Sequence, residues 1–150
     1  MRTRKGFTLV EMLIVIVVIG VLSSMMMISS TESINSAKAS DIITSLNNIK
    51  VAALAHYVDS FDAYNRTPAP DLDIANIKPY LNNGSSLTSE YGVESNNKLW
   101  FAKCDLTKLG NNSQIKSKLA GRANSAGLKS AASPTAANYT DEDTVYLRIR

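Results

Sequence analysis

Apolar side chains are unevenly distributed along this chain. From Phe7 to Ile28 they run almost without interruption, and Met12 to Ile28 (MLIVIVVIGVLSSMMMI) contains neither a charge nor a proline. As a helix, these 22 residues would span ~33 Å, enough for the hydrocarbon core of a bilayer. The many Ile and Val residues favour strand in water, but in lipid a lone segment satisfies its backbone only as a helix. Past Ser29 the pattern changes. Ile34, Ala37, Ile42, Leu46, Ile49, Ala53 and Tyr57 recur every three to five residues, with Lys38, Asp41, Asn47 and Lys50 on the polar face. Such a stripe predicts an amphipathic continuation of the same helix to about Phe61, ~80 Å in all at the helical rise.

The segment from Asp62 to about Glu94 holds Pro68, Pro70 and Pro79 among Asn, Gly and Ser residues. It reads as a long surface connection with at most a short helical piece at Asp71–Leu81. Leu99 to Cys104 (LWFAKC) predicts a strand with Trp100, Ala102 and Cys104 on one face. Ser113 to Ala120 is a short helix candidate, capped by Ser113 and stopped by Gly121, and Ala123 to Asn138 reads as loop. Thr144 to Arg150 alternates cleanly, with Val145, Leu147 and Ile149 inward. A small antiparallel sheet packed on the outer half of the long helix would bury both stripes, an α+β fold.

Charge sharpens the picture. The chain has 16 Lys+Arg against 13 Asp+Glu, a net charge of +3 and a pI near 9.0. Arg2, Arg4 and Lys5 account for the whole surplus; the other side chains carry 13 basic and 13 acidic groups. A basic pI concentrated in a short N-terminal tag does not describe a nucleic-acid-binding surface, so nucleic acid is not an expected partner. Three basic residues before the apolar run and none after it until Lys38 put the N-terminus in the cytoplasm and the head outside, by the positive-inside rule. Glu11 breaks the apolar pattern. A carboxylate at mid-membrane costs ~2.5–3.5 kcal/mol on insertion scales, less near the interface, and the surrounding Leu, Ile, Val and Phe residues outweigh it at ~0.3–0.6 kcal/mol each. Insertion does not require Glu11, so the residue calls for a partner.

MRTRKG followed by FTLVE resembles the processing site of type IV pilins and type II secretion pseudopilins: a short basic leader, Gly6, aromatic Phe7, then Glu11 and an unbroken apolar run. The resemblance implies a pilin-like fold, with 1–6 as leader, 7–29 as transmembrane and assembly helix, 30–61 as its amphipathic continuation and 62–150 as a globular head. It also implies that a prepilin peptidase cuts between Gly6 and Phe7 and N-methylates Phe7. The partners it implies are other pilin or pseudopilin subunits, the peptidase, the pilus or type II secretion assembly machinery and inner-membrane lipid. The resulting filament would lie at the cell surface or in the periplasm. Cleavage would create an ammonium on Phe7, which methylation leaves charged. Two unit charges ~4 Å apart attract by ~4 kcal/mol at an effective dielectric of 20, so the amine and Glu11 each offset the other's burial. Family members often carry a proline late in the hydrophobic helix where this chain has Met25 to Ile28, while Gly20 is kept. That departure favours a minor or atypical subunit.

Two other readings explain part of the pattern. A secretory signal peptide needs a cleavage site just after its apolar core, and Ala37-Lys38-Ala39 lies too far downstream. A single-pass anchor carrying an unpolymerised binding module leaves Gly6, Phe7 and Glu11 as coincidence. Elsewhere, chemistry is not indicated. One Cys and one His argue against a disulfide, a multi-cysteine metal site or a catalytic triad, and no enzyme activity, cofactor or metal is expected. His56 reads as a packing or helix-end residue and Cys104 as a buried small hydrophobe. Asp141-Glu142-Asp143 is a weak calcium candidate. Asn65, Asn83, Asn111 and Asn138 begin chance glycosylation sequons, and Lys108, Lys116, Lys118 and Arg122 form a basic stretch that reads as a solvated helix face.

Overall fold

In a computed structural model the described residues are 6–60, 72–81, 87–96, 98–110 and 112–150. The leader residues Arg2, Arg4 and Lys5, most of the connection expected after Asp62, and the sequons at Asn65, Asn83 and Asn111 lie outside them. The chain divides into two compact units, Met1–Ile34 and Asn35–Arg150. Helix α1, Leu9–Asp59, contributes to both.

In the first unit the helix is bare. Every Leu, Ile, Val and Met described from Leu9 to Met27 is half exposed or more. The helix is long and apolar enough to cross a membrane, and none of its most apolar window is covered by the rest of the chain.

The second unit pairs the outer part of α1 with a four-stranded antiparallel sheet of order β1-β2-β4-β3. Its strands are β1 (Tyr91–Asn96), β2 (Leu99–Asp105), β3 (Leu128–Lys129) and β4 (Thr144–Arg148). A short helix α2 (Ile74–Ile77) runs into a 3-10 turn, Lys78–Tyr80, and helix α3 covers Ser113–Ala126. One apolar core unites Ala39, Ile42, Leu46, Ile49 and Ala53 of α1 with Trp100, Ala102 and Cys104 of β2, Ile115 and Leu119 of α3, and Val145 and Leu147 of β4. Tyr57 meets Trp100 edge-on at 5.6 Å, a geometry that aligns the ring quadrupoles. This is the α+β pilin-like fold expected from the sequence, and the C-terminal alternation places Val145, Leu147 and Ile149 inward as read.

Several local expectations are corrected. The buried line on α1 is Asn35, Ala39, Ile42, Leu46, Ile49 and Ala53, alternating steps of four and three that stay on one helix face. Ile34 and Ala37 fall off that line and are exposed. The loop expected up to Glu94 is instead strand from Tyr91, paired with β2 from Tyr91↔Cys104 to Asn96↔Leu99. With only Tyr91 and Val93 as large apolar residues, β1 is specified by its partner rather than by its own pattern. Lys98, before β2, takes a left-handed φ of 66°. Phe101 is as fully buried as Trp100 and Ala102, so β2 is not one-sided. The loop after β3 is fastened nearby, with Asn96 Nδ2 donating to the Ala132 carbonyl at 2.7 Å and Ala132 itself buried.

Helix α3 does not stop at Gly121. Asn112, not Ser113, is its cap, accepting from the Gln114 N–H at 2.9 Å. The helix continues through Gly121 to Ala126 because Ala123 still packs into the core. It ends at Gly127, whose left-handed φ of 69° closes the last turn. The expected loop from Ala123 thus yields the end of α3 and strand β3. Opposite signs are predicted for the two glycines. Gly121 is exposed and a Cβ there meets nothing, so Gly121→Ala stabilises by about 0.5–1 kcal/mol. At Gly127 a Cβ finds only an ordinary contact with Leu147, so Gly127→Ala destabilises by about 1–2 kcal/mol through backbone strain alone. Thermal unfolding of the full chain in detergent measures both.

Candidate processing and assembly site

The first helical turn of α1 carries the chemistry. Gly6, Phe7 and Thr8 precede the helix, and Gly6 and Phe7 are exposed. Thr8 stands immediately before Leu9, the first helical residue, and Glu11 is three residues further on. The Glu11 N–H donates to Thr8 Oγ1 at 3.2 Å, while Glu11 Oε2 accepts from the Thr8 N–H at 2.8 Å and from the Thr8 hydroxyl at 2.8 Å. This reciprocal arrangement is a capping box, in which each residue's side-chain oxygen accepts from the other's orphan backbone N–H at the helix start. A negative side chain in the first turn also faces the positive end of the helix dipole.

Glu11 therefore has a partner within its own turn. Both bonds from Thr8 end on one carboxylate oxygen, Oε2. Thr8 also fits the processing motif by position; the cap it forms has its own signal, Thr-x-x-Glu ahead of an apolar run, in TLVE. The leader charges Arg2, Arg4 and Lys5 lie outside the described residues, so the geometry bears on Gly6, Phe7, Thr8 and Glu11 alone.

The head holds no comparable constellation. Among the described residues no group of three His, Cys, Asp or Glu side chains is arranged to hold a metal ion. In the Asp141–Asp143 turn, the Glu142 carboxylate accepts from the backbone N–H groups of Thr140 and Asp141 at 3.0 and 3.1 Å. Asp143 pairs with Lys116 at 2.7 Å. Three of the four basic side chains of the stretch are engaged by bonds within the fold. Lys108 donates to the Ser89 carbonyl, Lys116 to Asp143, and Arg122 to the hydroxyls of Ser36 and Ser40. Buried Asn35 joins the same seam, donating to Gln114 and accepting from Asn112. His56 lies tilted at 45° against Tyr80, ring centroids 5.5 Å apart, near the end of α1, and its Nδ1 lies 3.5 Å from the Ser60 hydroxyl. Cys104 is a free, buried thiol, pushed up to about 12 by desolvation. Asn138, exposed, uses its side-chain oxygen to accept from Lys129.

Comparison with known proteins adds one finding. The model of the prokaryotic N-terminal methylation motif matches residues 1–27. The chain thus carries the signature of type IV pilins and pseudopilins, over the segment that contains Gly6, Phe7, Thr8 and Glu11. No curated protein and no solved structure gave a match.

The Glu142 turn gives a pH test. Hydrogen bonds from the Thr140 backbone, first, and from its own turn hold this carboxyl below the ordinary carboxylate range. A depressed acid contributes stability above its unfolded value and loses it as pH falls through the folded one. The head is therefore expected to lose stability on acidification below the usual carboxylate range, and Glu142→Gln to flatten that decline. Melting temperatures of the two chains across the acid range measure the difference.

Proposed function

We propose that this protein is a structural subunit of a type IV pilus or of a pseudopilus-type secretion filament. A prepilin peptidase cuts it after Gly6 and methylates the new amine of Phe7. The observation that carries the reading is the methylation motif at residues 1–27, joined to a helix whose described Leu, Ile, Val and Met side chains from Leu9 to Met27 are half exposed or more. Before cleavage the span rests in the cytoplasmic membrane, held by the basic leader with the head outside. After cleavage the same surface packs against the helices of neighbouring subunits. The work is mechanical and belongs to the assembly machine that inserts and extracts subunits, so no catalytic residue is assigned.

Glu11 has two tasks in this account. Through Oε2 it completes the cap of its own helix, and Oε1 remains to take the Phe7 ammonium of its own or a neighbouring subunit. The alternative within the class, pilin or pseudopilin, turns on the machine rather than on this chain. The absence of the late helix proline, with Met25 to Ile28 in its place, favours a minor or atypical subunit.

Two substitutions separate the steps. Gly6→Val is expected to leave the chain in the membrane at precursor size, read by electrophoretic mobility beside the wild type. Glu11→Ala is expected to insert and to be cut normally while its recovery in sheared filaments falls by about tenfold or more, the scale of one lost charge pair. Normal incorporation of Glu11→Ala would remove the assembly role given to that carboxylate.

A further inference from the structure

The head is electrically polar along its C-terminal strand. Asp141-Glu142-Asp143 precede β4, and Arg148, its last residue, is followed by Ile149 and Arg150. At the strand rise, Asp143 and Arg148 stand ~17 Å apart. Past the arginine end lies an open cleft of about 530 Å³ between α1, the C-terminal end of α3 and the end of β4. Asn47, Lys50, Asn124, Ser125, Arg148 and Arg150 are among its lining residues, and no Asp or Glu among the described residues lines it. Arg150 is held in place with its guanidinium carbon 4.2 Å over the Tyr57 ring. The carbonyl end of α3 offsets about half a unit of this positive charge, and among the described residues no Asp or Glu side chain forms an ion pair with Lys50 or Arg148.

The opposite end of the strand is its complement. Asp141 is exposed, and the Asp143 side chain keeps 61% of its surface exposed despite its bond to Lys116. The turn that carries them is already stiff, because Glu142 folds back on Thr140 and the Tyr139 hydroxyl donates to the Glu142 carbonyl at 2.8 Å. A preorganised acidic turn loses little freedom on docking.

We infer that the acidic turn Asp141–Asp143 of one copy docks in the Lys50–Arg148–Arg150 cleft of the next. The two patches occupy different ends of one head, so the contact is heterologous, and in the filament proposed above it repeats from copy to copy. A symmetric dimer through either patch alone would set like charges face to face, which repel. The inference rests on the filament reading and deepens it: besides the packing of membrane helices, the heads carry a directional charge contact of their own.

The test uses the full-length chain in membranes, with two differently tagged copies expressed together. One carries Thr140→Cys beside the acidic turn and the other Asn124→Cys in the cleft; Cys104, buried, stays out of reach of a short thiol crosslinker. Mixed-tag products should exceed those of either variant alone by about tenfold. Arg148→Glu in the cleft copy should lower them by about tenfold, and Asp141→Arg in the turn copy should restore them. A Val15→Cys pair in the apolar helix reports polymerisation separately. Crosslinked helices with no head product would overturn the head contact and leave the subunit reading standing. Failure of both pairs would overturn both. Like-with-like head products as strong as mixed ones would also overturn the directional contact.

Discussion

Helix α1 must satisfy two surroundings with one hydrogen-bonded backbone. From Ala39 to Ala53 its apolar face is covered by the core of the head, where β2, β4 and α3 supply the other walls. From Leu9 to Met27 the described Leu, Ile, Val and Met residues are at least half exposed. An apolar surface of that extent is far larger than soluble monomers leave in water, so its cover has to come from lipid or from other helices. The basic leader, the motif and the head all acquire their sense from that requirement.

At the start of this helix, the same constraint falls on the backbone. The first N–H groups of any helix lack intrahelical partners, and in hydrocarbon such groups are costly. Thr8 and Glu11 supply partners from within the first turn. A carboxylate that looked expensive in an apolar run thus has a local reason to be there, and the amine proposed for it adds to that reason. The net charge of +3 belongs to the same region, since Arg2, Arg4 and Lys5 supply all of it. On the proposed reading the basic pI belongs to a leader that is removed rather than to a ligand of the head.

Much of this was legible in the residues, and the failures have physical causes. The apolar run and the Val145-Leu147-Ile149 alternation are strong one-dimensional signals, because a helix in lipid and a one-faced strand impose their period directly on the sequence. β1 carries no such signal: Tyr91-Gly92-Val93-Glu94-Ser95-Asn96 becomes strand through its register with β2, a non-local cause. Gly121 misled because a helix glycine is tolerated where the following residues still pack, and Ala123 does. At the N-terminus, Glu11 was singled out by its charge in an apolar context. Thr8 fits the motif by position, but a threonine at a helix start is ordinary until its hydrogen bonds with Glu11 are seen. The basic cleft was invisible in sequence: Lys50, Asn124 and Arg148 meet only when α1, α3 and β4 are packed.

Mass spectrometry of the N-terminal peptide of the membrane-extracted protein tests the central claim most directly. The account predicts that the mature chain begins at Phe7 and carries one added methyl group on its α-amine. A chain that still begins at Met1, or one cut near Ala39, would contradict it.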